Sequence, residues 1–293
     1  MKILFLPDLS TMKTLLRSSI FIFLVANLLS CPEAHAGLYE KFLFYPSKHL
    51  RTPLEVDGCK YQAVNFEDSS GKDLHGLFFK KSGADNGIVI VSHGNGGNML
   101  YRCDLVPHLV ADTRCSVLMY DYEGYGGSTG KPSVKGILRD GVAAFDYAVN
   151  KLGYKPEQVI LYGESLGCAV TCFIGTQRKP RAMILQSGFR SLPAVARDVV
   201  RVLKIVPGAV LPVPRLNNEK ILQGEHAPVL IMHGKQDELI PFSHGETMFN
   251  KASEPKTFVA LEHSGHNNTY KADAETFDRG IKDFVDKLPV INQ

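Results

Sequence analysis

Three residues in this chain could together carry out nucleophilic chemistry. Ser165 stands in Gly163-Glu164-Ser165-Leu166-Gly167, Asp237 in His233-Gly234-Lys235-Gln236-Asp237-Glu238, and His266 in His263-Ser264-Gly265-His266-Asn267-Asn268. A serine hydroxyl attacks a carbonyl well only when an imidazole takes its proton and a carboxylate fixes the imidazole's tautomer. Glu238 and His263, each beside its candidate, are the alternative acid and base. The apolar run Val159-Ile160-Leu161 leads straight into Ser165, and a helical pattern rich in small residues follows. Strand, tight turn and helix form the context in which Gly-x-Ser-x-Gly lifts a serine clear of a sheet edge. Glycines at 163 and 167 are expected because side chains there would meet the neighbouring strand and helix.

Charge that develops on the attacked oxygen needs backbone donors. One is expected from Leu166, the first residue after the nucleophile. The other is assigned to Asn95, in the loop His93-Gly94-Asn95-Gly96-Gly97-Asn98 that follows the apolar run Ile88–Ser92. Neither glycine-rich stretch reads as a nucleotide site. Gly94 to Met99 lacks the last glycine of a dinucleotide fingerprint. Around Gly130-Lys131, Tyr125 and Pro132 occupy positions where a phosphate loop needs glycine and Ser or Thr.

The elements that must position these residues follow from pattern. Tyr61–Phe66 and Leu74–Lys80, joined by Asp68-Ser69-Ser70-Gly71, predict an antiparallel pair. Continuous apolar runs predict strands buried on both faces at Ile88–Ser92, Ser116–Tyr120, Val159–Leu161, Ala182–Gln186, Val229–His233 and Thr257–Ala260. Helices are expected over Met99–Ala111, Val134–Lys151, Ser165–Gln177, Ser243–Ala252 and Thr269–Leu288. Such alternation predicts a mostly parallel sheet with helices on both faces. The candidate nucleophile, acid and base then fall after three different strands. Residues 187–227 break the rhythm. Val202 to Pro214 is apolar but interrupted by prolines, so a small cap of short helical pieces is expected between the sixth and seventh strands. Tyr39 to Pro46 and the residues after it are aromatic-rich and irregular, and are expected to wrap the domain edge.

The 293 residues are 44% hydrophobic with a formal net charge of +3, enough for one α/β domain with a sizeable core. Outside the amino-terminal region there is no Lys/Arg block, which argues against nucleic acid as a partner. Residues 1–36 read as a signal peptide. Lys13 and Arg17 precede the apolar run Ser18 to Leu29, and Ala34-His35-Ala36 offers a cleavage site. In a competing reading Leu28-Leu29-Ser30-Cys31 is a lipobox that would place a lipid on Cys31, although Pro32 fits it poorly. Either reading implies an exported protein, periplasmic or extracellular, and lipidation would hold it against a membrane. Of six cysteines, five remain after the leader, and Cys103–Cys115 is the bridge expected in an exported protein. Cys168 and Cys172, one turn apart, are expected to be small core residues. No Cys/His spacing resembles a metal site.

In order along the chain, HGNGGN, DYEGYGGSTG, GESLG, HGKQDELIP and SGHNN resemble the α/β-hydrolase superfamily, and most closely its depalmitoylase-like and serine-aminopeptidase-like members. The resemblance runs from about Lys41 to the carboxyl end. It implies the α/β-hydrolase fold over 37–293 with a cap insertion at about 187–227. It also implies Ser165 as nucleophile, Asp237 as acid and His266 as base, with no metal or organic cofactor. The segment from Asp121 to Gly126 would be largely structural. The expected function is cleavage of a carboxylic ester or thioester of a small molecule or lipid through an acyl-enzyme. A peptidase or amidase with the same triad, or a non-catalytic binding protein on the same fold, are the alternatives, because fold does not choose the substrate.

Overall fold

The structure, a computed structural model, describes residues 40–50, 59–83, 85–199 and 216–289. Eight strands form one sheet: β1 (Cys59–Glu67), β2 (Asp73–Lys81), β3 (Ile88–Ser92), β4 (Ser116–Tyr120), β5 (Val159–Glu164), β6 (Ala182–Gln186), β7 (Val229–Gly234) and β8 (Lys256–Leu261). Their spatial order is β8-β7-β6-β5-β3-β4-β2-β1. β2 is antiparallel to both its neighbours, β1 and β4, and the other pairings are parallel. All eight strands lie where the sequence pattern puts them.

Alternate residues of the inner strands serve two separate cores. Ile88 and Ile90 of β3 and Val159 and Leu161 of β5 join one cluster, while Val89, Val91, Ile160 and Tyr162 join the other. This is the period-two arrangement of a strand buried on both faces. The first core is closed by α2 (Val134–Asn150), α3 (Leu166–Gln177) and α6 (Ser243–Lys251), the second by α1 (Val106–Thr113) and α7 (Ala274–Asp286). Ser133 caps α2, its hydroxyl accepting from Gly136 N–H at 2.9 Å.

Two expected helices are shorter than their pattern. Met99–Leu105 is a 3₁₀ turn, and the α-helix begins at Val106 with Pro107 in its first turn, where a missing N–H costs nothing. Between Thr269–Ala272 and α7, Asp273 breaks the expected helix. Its carboxylate is used elsewhere, accepting from His263 N–H at 2.9 Å and from the Ser264 hydroxyl.

The expected Cys103–Cys115 bridge does not form. Cys115 keeps its thiol, which donates to the Thr113 carbonyl at 3.4 Å. The eight-residue α1 separates the two positions, and its axial length of about 12 Å exceeds what a disulfide can span. Cys168 and Cys172 are buried in the first core, as expected.

Between β6 and β7 the described residues hold α4 (Leu192–Val199) and α5 (Asn218–Leu222). The two ends of this connection are bonded to each other: Leu192 N–H donates to Leu216 O at 2.9 Å and Glu219 N–H to Arg190 O at 3.0 Å. The connection therefore leaves the sheet and returns at one place. The expected cap core, Val202 to Pro214, and the leader with Cys31 lie outside the described residues.

Candidate active site

The strand order reverses at β3, which lies between β4 and β5. Its neighbour β5 ends beside it, Ser92 pairing with Gly163. The loops leaving these two strands therefore emerge side by side, the position at which open α/β sheets bind ligands.

From β5 the chain turns sharply into α3 through Ser165, whose φ of 55° and ψ of −111° lie outside the regions ordinary residues occupy. Holding a non-glycine residue there costs about 1–3 kcal/mol, supplied by the surrounding structure. The elbow is fixed by Ser165 N–H, which donates to Gln186 O at 2.9 Å. A β-carbon on Gly163 would stand 2.5 Å from Gly167 O, so the expected glycine is required there. Leu166 begins α3, and its N–H is one of the donors that a helix start leaves unpaired.

The acid and base come from the next strand ends. β7 and β8 pair in register to Gly234 and Leu261. The loops beyond them are also bonded together, Lys235 N–H to Leu261 O at 2.8 Å and Gln236 N–H to Ser264 O at 3.0 Å. This brings His266 Nδ1 to 2.7 Å from Asp237 Oδ2 and His266 Nε2 to 3.0 Å from Ser165 Oγ. All three residues are buried, each less than a tenth exposed. The alternatives are elsewhere: Glu238 and His263 are exposed. Two further carboxylates, Asp146 and Glu262, are paired with Arg178 and Lys235.

The other Asp237 oxygen, Oδ1, accepts from Leu239 N–H at 2.9 Å and Ile240 N–H at 2.8 Å. Burial alone would raise this carboxyl. Hydrogen bonds from His233 and His266, together with the Ile240 N–H, outweigh burial and hold it well below the usual carboxylate range. An ionised carboxylate accepts at Nδ1–H, which leaves Nε2 free to take the serine proton. His233 was not singled out by sequence reasoning. Its Nε2 lies 2.9 Å from Ile240 O and 3.4 Å from Asp237 Oδ2, so a second imidazole braces the acid loop. A histidine ending a buried strand four residues before the acid was the available signal.

Asn95 sits on the loop beside the elbow. Tyr122 Oη donates to His93 O and Tyr125 Oη to Asn95 O, both at 2.8 Å. The segment from Asp121 to Gly126 thus holds the carbonyls of this loop, while Asp121 accepts from Met99 N–H at 2.8 Å. Burial pushes His93 down to about 4, against the nearby Asp121 charge, so its ring is neutral and Nδ1–H donates to Gly94 O at 2.7 Å. The aromatic segment expected to wrap the edge lies against this loop. Tyr45-Pro46 pairs with Gly96-Gly97, Tyr45 N–H reaches Asn95 Oδ1 at 3.3 Å, and Asn98 Nδ2 donates to the carbonyls of Ser47 and His49. Among the described residues no cluster of three or more His, Cys, Asp or Glu could hold a metal ion, and no helix is long and apolar enough to cross a membrane.

The arrangement places His266 Nε2 where it can take the proton of the Ser165 hydroxyl. A family model described as "Serine aminopeptidase, S33" matches residues 83–225. The chain is 34% identical over 241 residues to Rv2307c, an uncharacterized protein of Mycobacterium tuberculosis, covering 78% of this chain and 81% of that one. It is 32% identical over 207 residues to alpha/beta hydrolase domain-containing protein 17C of Xenopus tropicalis, covering 71% and 64%. In fold it is similar to an esterase of Pyrococcus furiosus, with a TM-score of 0.69 at 16% identity, covering 84% of this chain and 98% of the other. Sheet order, strained serine turn and sequence kinship agree, and the chain belongs to the α/β-hydrolase superfamily.

Proposed function

We propose that the protein is a serine hydrolase that cleaves a carboxylic ester or thioester through an acyl-enzyme on Ser165. The observation that carries this reading is the continuous chain Ser165 Oγ, His266 Nε2, His266 Nδ1 and Asp237 Oδ2, with spacings of 3.0 and 2.7 Å. His266 takes the hydroxyl proton as Oγ bonds to the carbonyl carbon, and the carbonyl electron pair moves onto oxygen. The N–H groups of Asn95 and Leu166 hold that oxyanion. Its collapse expels the alcohol or thiol, which receives the proton from His266. Water, deprotonated by the same imidazole, then displaces Ser165 from the acyl group and releases the carboxylic acid. Asp237 keeps the imidazole in one tautomer throughout.

Apolar residues at Val202 to Pro214, in a connection that opens beside the site, support an acyl chain as the group bound there. The order of basic, apolar and Ala-x-Ala residues in 12–36 supports export to the periplasm or beyond the cell, and only processing at the competing Leu28–Cys31 lipobox instead would leave a lipid on Cys31 to hold the protein against a membrane. A second reading, hydrolysis of a peptide bond, is favoured by the description of the matching family model. A fluorophosphonate probe followed by mass spectrometry tests the nucleophile, and a panel of p-nitrophenyl esters, acyl thioesters and aminoacyl amides tests the bond. Absence of any adduct on Ser165 in folded protein would remove the acyl-enzyme reading, and turnover of the amides alone would favour the second.

A further inference from the structure

Arg102 lies on the turn that follows the Asn95 loop, with its side chain 14% exposed. Its guanidinium reaches two places at once. Nε donates to Glu164 Oε2 at 3.2 Å and Nη2 to Glu164 Oε1 at 3.0 Å, a two-point fork on a buried carboxylate. Nη1 donates to the Gly96 carbonyl at 2.6 Å. Glu164 is peptide-bonded to Ser165, and Gly96 to Asn95. One planar group therefore links the residue before the nucleophile to the residue after Asn95. The approach is tight: a β-carbon on Gly94 would stand 3.0 Å from Glu164 Oε1 and 3.2 Å from Arg102 Nη2.

The charge arrangement points the same way. A carboxylate beside the nucleophile opposes build-up of negative charge on a substrate oxygen unless a cation matches it. Burial would raise the Glu164 carboxyl, and the Arg102 charge and hydrogen bonds overcome that and hold it ionised. The loop is held from its other side by Tyr125 on Asn95 O and by Ser47 N–H on Gly97 O at 2.8 Å. Arg102 is a side chain whose hydrogen bonds join this loop to the residue before the nucleophile.

We propose that Arg102 is a positioning residue for the oxyanion hole: its fork sets the Asn95 and Leu166 N–H groups relative to one another and matches the Glu164 charge. The proposal rests on the roles given above to Ser165, Asn95 and Leu166. Lysine at 102 would keep a positive charge and lose the planar fork that reaches both partners. Glutamine at 164 would keep an acceptor and remove the negative charge.

The test compares wild type, Arg102→Lys and Glu164→Gln by p-nitrophenyl butyrate kinetics, thermal melting and inhibition by an alkyl trifluoromethyl ketone. The ketone accepts Ser165 Oγ at its carbonyl carbon, its carbonyl pair becomes a hemiketal oxyanion, and the serine proton passes to His266. In Arg102→Lys, kcat should fall by about 10²-fold with KM nearly unchanged, as expected when oriented donors are displaced. The inhibition constant of the ketone should rise by a similar factor, because the analogue shares the oxyanion. Glu164→Gln should lose both by about tenfold, part of the loss that follows removal of an oxyanion donor. Folded Arg102→Lys with unchanged kcat and ketone affinity, or with a loss confined to KM or melting temperature, overturns the proposal. If Arg102→Lys does not fold, unchanged kcat and ketone affinity in Glu164→Gln overturns it. Wild-type protein that neither turns over the ester nor takes a fluorophosphonate label overturns this proposal together with the Ser165 reading. An active wild type with unaffected variants overturns this one alone.

Discussion

Gly167, two residues beyond the nucleophile, faces Ser92 so closely that a β-carbon on it would overlap the Ser92 carbonyl oxygen. Ser92 ends β3 and is followed by the loop that carries Asn95. This approach sets the first turn of α3 against that loop. Gly167→Ala should therefore force the two apart. The expected cost is about 1–3 kcal/mol of stability, as for other overpacked sites. Turnover should fall by about 10²-fold, because the Asn95 and Leu166 N–H groups proposed to hold the oxyanion would be displaced relative to one another. Urea denaturation and p-nitrophenyl butyrate kinetics read the two effects. A variant as stable and as active as wild type would show that the helix can shift without consequence.

Ser165→Ala should abolish ester turnover while leaving the sheet intact. Alanine at 165 retains the elbow backbone and the Ser165 N–H bond to Gln186 O, and removes only the hydroxyl that His266 approaches. The loss should be on the order of 10⁴-fold or more, since nucleophile, base and acid act as a unit. Circular dichroism would establish folding, and activity near that of wild type in folded protein would end the assignment.

The two adjacent carboxylates separate the acid from its neighbour. Asp237 is buried on His266, and Glu238 is exposed. Asp237→Asn would turn an amide toward the imidazole and favour the wrong tautomer, with an expected loss of about 10⁴-fold in kcat. Glu238→Gln should leave kcat nearly unchanged. Steady-state kinetics at constant pH compare them, and small, equal losses would mean that the imidazole is oriented by some other group.

Much of this site was legible because each residue carries a local signal. Apolar runs place the eight strands, and the glycines around Ser165 mark the elbow. His266 and Asp237 follow from chain order and strand ends. What was not legible depends on pairing across long separations. Arg102 reads as an ordinary cation on a helix, and only the fold brings it to Glu164, 62 positions away. Tyr45-Pro46 is too short to show a strand period, and its pairing with Gly96-Gly97 is tertiary. Asp273 sits inside a helical pattern, yet its bonds to His263 and Ser264 interrupt the helix in order to hold the His266 loop. Local propensity lost there to a tertiary hydrogen bond.

Asp140 on α2 should give the protein's stability a pH dependence unrelated to the triad. It is fully buried, Oδ2 accepts from Glu123 N–H at 2.8 Å, and Oδ1 has no hydrogen-bond partner among the described residues. Burial first, then the charges of Glu123 and Asp68, raise its carboxyl from an ordinary 3.8 to about 8, against the opposing Glu123 N–H and Arg139. Between these values the folded chain holds a proton that the unfolded chain has lost. The contribution is complete below the unfolded value and disappears as pH rises through the folded one. Asp112, raised to about 7 by burial and by Asp278, adds a smaller decline of the same sign. Asp140→Asn retains the acceptor for Glu123 N–H and cannot ionise. Its stability should therefore fall less than that of wild type between about pH 4 and pH 8, the difference reaching on the order of a few kcal/mol. Urea denaturation across that range measures it. Parallel wild-type and variant profiles would mean that Asp140 ionises in the folded chain much as it does in the unfolded one, and that its burial is compensated by a partner other than a proton.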